Sequence, residues 1–253
     1  MYPELLSAFV SAAQNKEKIL KNSLLRYLLL SVFAGFFVGL GILLIFTIGG
    51  QLGDIPSRKL IMGMTFGIAL SLVIMAGSEL FTGNNMIMTA ASLERQVSWA
   101  TTFKIWIFSY LGNLIGAISV SAIYVQTGLA KAGVLDFINA TSALKMNGDF
   151  TELFFRGVLC NILVCLAVLI SFKSKEDTAK LIMIWWCLFA FITSGYEHSI
   201  ANMTLFSTAL FSPHPDAVSL SGALHNLTAT TLGNFVGGAG FLGLGYWFIG
   251  HKK

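Results

Sequence analysis

Residues 194–203 read Ser-Gly-Tyr-Glu-His-Ser-Ile-Ala-Asn-Met inside a hydrophobic block that runs from about Leu181 to Phe211. They set a carboxylate (Glu197), an imidazole (His198), a hydroxyl (Ser199) and an amide (Asn202) where a membrane helix should be apolar. Ionisable groups at that depth cost about 2.5–3.5 kcal/mol or more each, so they mark a pathway or a site. A second stretch, Gly-Ser-Glu-Leu-Phe-Thr-Gly-Asn-Asn-Met at 77–86, repeats the order: Gly, Glu, a short mixed run, then Asn-Met. A neutral imidazole at His198 offers one donor and one acceptor; an imidazolium offers two donors and a charge. The bland alternative is a core histidine bonded to a backbone carbonyl. Gly195, Ser199 and Asn202 around it suit a broken backbone lining a water pocket. Thr82, in the other stretch, either bonds nearby backbone or faces His198 and bonds the ring or a passing solute. Glu79 and Glu197 have the wrong charge to bind anions. Each is expected to accept backbone N–H groups freed by a break, or to stay protonated. Asn113 and Asn234, each beside a glycine, are expected to support the broken segments.

A membrane enzyme using Glu197, His198 and His225 as metal or acid–base groups is a second reading. No H-E-x-x-H pattern or Cys/His cluster supports it, and Cys160, Cys165 and Cys187 all lie in apolar runs as expected free thiols. No metal and no cofactor is expected. Catalysis would also leave the echo at 77–86 unexplained. His225, at the start of the last span, is placed near the outer surface.

The elements that must position these groups follow from composition. The chain has 253 residues, 55% hydrophobic and 11% charged, against about 25% charged in soluble domains. It is an all-α polytopic membrane protein, a single channel-like unit over 1–253 with the lipid bilayer as its surroundings. The net charge is +4, but the basic residues are scattered through loops, which excludes a nucleic-acid partner. The first residues lack a basic n-region and a short apolar stretch before a small-residue site, so no cleaved leader is expected. Residues 1–26 alternate at helical spacing and read as an amphipathic helix lying on the membrane. Spans are expected at about 27–49, 60–91, 101–126, 152–172, 179–210 and 222–249, with 60–91 broken at Gly77–Asn85 and 179–210 at Ser194–Asn202. The connection 127–151 reads as a loop. Gly35/Gly39 and Gly237/Gly238/Gly240 form small-residue faces that permit close helix contact, within a protomer or between protomers.

Tyr110-Leu-Gly-Asn113 is echoed by Thr231-Leu-Gly-Asn234, as Glu79 is by Glu197. The repeats are 27–126 and 150–249. Each holds three spans, an odd number, so the second enters from the opposite side and the two are inverted. Lys16, Lys18, Lys21, Arg26, Arg95, Lys104, Lys173, Lys175, Lys180, Lys252 and Lys253 fall on one side; Arg58, Lys59, Lys131, Lys145 and Arg156 fall on the other. Eleven against five places both termini in the cytoplasm of a bacterial-type inner membrane.

Gly-Ser-Glu-Leu-Phe-Thr-Gly at 77–83, Leu-Cys-Asn-Ile-Leu-Val-Cys-Leu-Ala at 159–167, Ile-Trp-Trp-Cys-Leu at 184–188 and residues 194–203 together resemble the formate/nitrite transporter family from end to end. Gly-Leu-Gly-Ile-Leu-Leu-Ile-Phe-Thr at 39–47 and Gly-Leu-Gly-Tyr-Trp at 243–247 resemble its nitrite channel branch and the related hydrosulfide channels. The resemblance implies an aquaporin-like six-helix protomer with broken second and fifth helices. It further implies a homopentamer with one pore per protomer, and transport of small monovalent anions such as nitrite, formate or hydrosulfide. It makes His198 the central pore histidine and Thr82 its hydroxyl neighbour. It makes Leu80, Phe81, Phe66, Leu70, Val164 and Phe191 the constrictions, although each could be ordinary packing. Lys145 becomes a pore-proximal lysine whose charge gathers anions, or else a solvated loop lysine. Asn161 and Asn202 become amide donors on the pathway, although Asn161 could equally hold two helices together. A neutral-solute pore for water or ammonia remains the alternative use of the same architecture.

Overall fold

The computed structural model of the chain describes residues 2–251; Lys252 and Lys253, counted above toward orientation, lie outside them. The described residues form helices and no strand. They are α1 (Tyr2–Asn22), α2 (Leu24–Leu52), α3 (Arg58–Thr65), α4 (Ile68–Met75), α5 (Phe81–Leu93), α6 (Trp99–Gln126), α7 (Ala132–Met146), α8 (Phe150–Lys173), α9 (Asp177–Ser194), α10 (Ser199–Leu210), α11 (Leu220–Phe235), a π-helical segment Val236–Gly243, and α12 (Leu244–Gly250). Six stretches among them are long and apolar enough to cross a membrane: Leu24–Leu52, Arg58–Met75, Trp99–Gln126, Phe150–Lys173, Asp177–Ser194 and Leu220–Gly250. Four helices start at side-chain caps written in the sequence. Ser23, Ser98, Asp149 and Ser219 accept the N–H of Arg26, Thr101, Glu152 and Gly222 at 3.2, 3.1, 3.0 and 3.1 Å, each satisfying one orphan donor of a first turn.

Two helix pairs, α2 with α6 and α8 with α11, pack so closely that only glycine fits. A Cβ on Gly116 would strike the Val32 carbonyl, and one on Gly237 the Val158 carbonyl; Gly112 and Gly233 are blocked by Ser31 and the Phe154 carbonyl. Gly35 is held against Asn113 and Gly39 against Val120 in the same way, whereas Gly240 has nothing nearer than 4.0 Å. Gly35, Gly39, Gly237 and Gly238 are therefore used inside the protomer, while Gly240 is left exposed.

The second and fifth hydrophobic blocks are each interrupted along their length. α5 and α10 are short half-helices, yet Phe81–Ser92 and Ser199–Ala209 are buried without exception. A helix buried on every face needs an apolar or fully bonded environment all round. The breaks are shorter than expected: Ala76–Leu80 in the first and Gly195–His198 in the second. The first block has an additional break at Phe66–Gly67. There the Met64 carbonyl accepts the Trp185 indole N–H at 2.7 Å, and Gly67 leaves room for the Trp185 side chain.

Three expectations are corrected. The connection 127–151 contains α7, a helix of 15 residues, so Lys145 lies in its last turn and not in a loop. The amphipathic segment 1–26 ends at Asn22, and Ser23 starts a new helix. Its apolar stripe, Leu6, Phe9 and Ala13, is covered by the protein, with Gly250 of α12 against Leu6 and Phe172 of α8 edge-on to Phe9 at 5.5 Å. An apolar stripe fits a protein groove as well as a bilayer, which is why periodicity alone assigned it to lipid.

Candidate functional site

Two asparagines hold the breaks. Asn113 accepts the Phe81 N–H at 2.9 Å and donates to the carbonyls of Ser31 (2.7 Å) and Glu79 (2.9 Å). Asn234 accepts the Ser199 N–H at 2.9 Å and donates to the carbonyls of Gly157 (2.8 Å) and Glu197 (2.9 Å). The Glu79 N–H reaches the Leu30 carbonyl, and the Glu197 N–H the Arg156 carbonyl. Every bond has its counterpart in the other repeat. At each break one amide thus pairs with three backbone groups, using both of its donors and its oxygen.

Because the asparagines do this, the glutamates do not, and the expectation that they take freed backbone N–H groups is corrected. The Glu79 carboxylate bonds the Lys16 ammonium at 2.7 Å, the Tyr27 hydroxyl at 3.1 Å and the Asn84 amide at 3.0 Å. The Glu197 carboxylate bonds the Lys145 ammonium at 2.7 Å and the Asn202 amide at 2.6 Å. Asn202 also accepts from Lys145 at 3.2 Å and donates to Asn226 at 2.9 Å. Lysine, glutamate and asparagine five residues on from the glutamate recur at both breaks. Lys16, Tyr27, Asn84 and Asn226 went unread in the sequence. The offset that pairs Glu79 with Glu197 also pairs Asn84 with Asn202 and would have found it. Lys16 looks like any lysine on an amphipathic helix.

Beside the breaks lies a small chamber. Phe66, Leu70, Leu80, Val164 and Phe191 line it together with His198, and Val38, Ala69 and Leu188 complete its wall. Its volume is about 10 Å³, close to the least that holds one water. Leu70 and Leu80 also border a vestibule of about 570 Å³ that contains Lys16, Glu79, Asp177 and Lys180, so these leucines separate vestibule from chamber. At the other end the rings of Phe66 and Phe191 meet edge to face at 5.4 Å, and Phe191 stacks on His198 at 6.0 Å. Phe81 is not part of this wall. Its ring packs edge-on against Tyr110 at 5.1 Å while its N–H is held by Asn113, which turns the side chain away. Asn161 does not reach the chamber with a free donor either: it donates to the carbonyls of Thr82 (3.2 Å) and Asn234 (2.6 Å), tying the half-helix α5 to the end of α11. His225 is exposed and bonds the Gly148 carbonyl at 3.0 Å, away from the chamber.

His198 caps α10. Its Nδ1 accepts the Ala201 N–H at 3.1 Å, and its Nε2 lies 3.0 Å from Thr82 Oγ1. An Nδ1 that accepts carries no proton, so a neutral ring has its proton on Nε2 and donates it to Thr82. The Thr82 hydroxyl hydrogen then remains to be donated onward. This arrangement joins the two half-helices through side chains from both repeats. No group of His, Cys, Asp and Glu that could hold a metal occurs among the described residues.

A family model described as formate/nitrite transporter matches residues 3–248. The chain is similar to a nitrite transporter, NirC, of Salmonella typhimurium, 45% identical over 100% of this chain and 94% of the relative. It is also similar to two solved structures. One is described as an FNT family ion channel, with TM-score 0.93, 43% identity and coverage of 97% of this chain and 98% of the other. The other is a pentameric formate channel with formate bound, with TM-score 0.80, 30% identity and coverage of 90% and 98%. The full-length family match and relatives that are transporters and channels, not enzymes, settle the class: the chain belongs to the formate/nitrite transporter family of membrane channels and transporters.

Proposed function

We propose that the chain conducts small monovalent anions, nitrite, formate or hydrosulfide, through the chamber at His198. It does so as a homopentamer with one pore in each protomer and with the Lys16 side in the cytoplasm. The observation that carries this is His198, the polar residue in an otherwise apolar chamber wall, with its Nε2 paired to Thr82 Oγ1. An anion crossing apolar necks sheds water, a cost of several kcal/mol that fixed donors must offset. The Thr82 hydroxyl, whose own hydrogen is left free when Nε2–H donates to it, is such a donor, and the chamber wall holds no acidic side chain to repel the ion. Leu70 and Leu80 on one side, and Phe66 and Phe191 on the other, exclude hydrated ions by size and dewetting. Assembly into a pentamer is supported by the likeness to a channel described as pentameric.

Initial uptake of nitrite, formate and hydrosulfide into proteoliposomes at several pH values tests the proposal, with empty liposomes as the baseline. Uptake of at least one anion well above that baseline is expected. Water permeation with no anion uptake at any pH would sink the reading and leave a neutral-solute pore.

A further inference from the structure

Five cations near the two breaks are compensated. Lys145 is paired with Glu197 at 2.7 Å, Lys16 with Glu79 at 2.7 Å and, in the vestibule, Lys180 with Asp177 at 2.9 Å. Arg58 lies 3.4 Å from Asp54, and Arg156 is 2.6 Å from Glu152. A paired cation presents a dipole, whose field fades within a few ångströms, whereas an unpaired charge acts over the full Coulomb range. Lys145 is therefore poorly suited to gather anions from a distance, the role its position in the sequence suggested.

Lys59 is exposed, and its ammonium makes no hydrogen bond or ion pair among the described residues. It stands on the lining face of its helix. Lys59, Gly63 and Phe66 follow the spacing i, i+4, i+7, which keeps them on one side of α3 and its C-cap. Gly63 packs against Thr193 and the Phe189 carbonyl of α9, and Phe66 and Leu70 line the chamber. At a rise of 1.5 Å per residue, Lys59 lies about 10 Å outward from Phe66. Its Nζ is 3.8 Å from where a Cβ would sit on Gly195, the left-handed residue (φ 78°) that ends α9 three positions before His198. Ser194 beside it is exposed, and Gly195 and Tyr196 are half-buried, so solvent reaches this point. Lys131, also on this side of the chain, points instead at the turn at Gly128.

We propose that Lys59 is the anion-gathering residue at the mouth that leads to Phe66, Phe191 and His198. This rests on the channel reading above. Its uncompensated charge raises the concentration of small anions at the neck without binding them, and so acts on rate through ionic strength. It is a positioning charge and touches no anion inside the chamber.

The test is initial uptake of radiolabelled formate or nitrite, far below saturation, into proteoliposomes of wild type and Lys59→Gln at 10 mM and at 1 M ionic strength. The Debye length is about 30 Å at the first and about 3 Å at the second. At 10 mM the variant is expected to fall by about two- to fivefold, and at 1 M to match wild type. Lys59→Arg is expected to retain wild-type rates. Lys59→Cys gives a second, independent handle, since Cys160, Cys165 and Cys187 are all buried. A cationic methanethiosulfonate reagent should restore its low-salt uptake and an anionic one should lower it further. Absence of wild-type uptake above empty vesicles overturns the channel reading and this proposal together. Wild-type uptake with Lys59→Gln unchanged at 10 mM, or reduced equally at both ionic strengths, overturns the proposal alone.

Discussion

His198 does two jobs that a single substitution separates. Its Nδ1 caps α10 and its Nε2 faces Thr82. Asparagine is among the best N-cap residues, because its side-chain oxygen accepts from the first turn. His198→Asn is therefore expected to fold and assemble as wild type while losing the group that titrates. If His198 takes a proton as the anion arrives, wild-type uptake rises as the medium is acidified, because an imidazole can gain a proton where an amide cannot. The variant's curve should then be flat between about pH 5 and 8. Curves of the same shape at equal incorporation would make His198 a structural cap. The Lys145–Glu197 pair gives a second prediction. Glu197 is 4% exposed and Lys145 21%, so removing the lysine strands a carboxylate at a cost of about 3 kcal/mol or more. Lys145→Met should lower the melting temperature clearly, and the double variant Lys145→Met/Glu197→Gln should recover most of the loss. A double variant no better than the single would show that the lysine packs and does not neutralise. At this scale the sequence made His198, Thr82 and the glutamates legible, because polar groups in apolar runs stand out. Lys16 and Asn226 did not stand out, since each is ordinary in its own segment and acquires meaning only from a partner far along the chain.

The helices were legible wherever apolar runs are long. The spans at 101–126 and 152–172 extend by only a turn or less in the structure. α7 was missed because residues 127–151 mix Gly, Asp, Lys and Asn with short apolar pieces and show no sustained stripe. The break at Phe66–Gly67 was missed because what stabilises it, the Trp185 indole on the Met64 carbonyl, comes from another block of sequence. The glycine pairs carry the element-scale prediction. α2 crosses α6 at Gly112 and Gly116 as α8 crosses α11 and the π segment at Gly233 and Gly237. A methyl at Gly237 would meet a backbone carbonyl, which cannot rotate away as a side chain can. Gly237→Ala should destabilise by about 1–3 kcal/mol and disturb Asn234, and through it the second break. Gly240→Ala, whose Cβ has 4.0 Å to its nearest neighbour, should be silent. Thermal denaturation in detergent and uptake measured side by side check this; equal melting temperatures for the two variants would mean that the π segment yields freely.

At the scale of the molecule, the lining residues of the chamber all come from one chain. On the proposed reading a pentamer holds five parallel pathways, and the number of chains in the assembly does not enter the conduction law of any one of them. Leu80 separates the chamber from the Lys16 vestibule and borders both. With about 10 Å³ free on the chamber side, an indole there has no room except in the path itself. Leu80→Trp is therefore expected to close its own protomer and leave the fold intact, since the floor it enlarges faces an open vestibule. Co-expression of wild-type and Leu80→Trp chains, with distinct tags to count them, gives mixed assemblies of known composition. Independent pathways make uptake fall in proportion to the blocked fraction, so half-blocked assemblies keep about half the rate. A shared axial pathway that five closed-packed chains must all keep open would leave about 3% at the same composition, one half to the fifth power for a five-fold ring. A linear dependence upholds conduction through each protomer, whereas the steep dependence would move the pathway from the His198 chamber to the axis between chains.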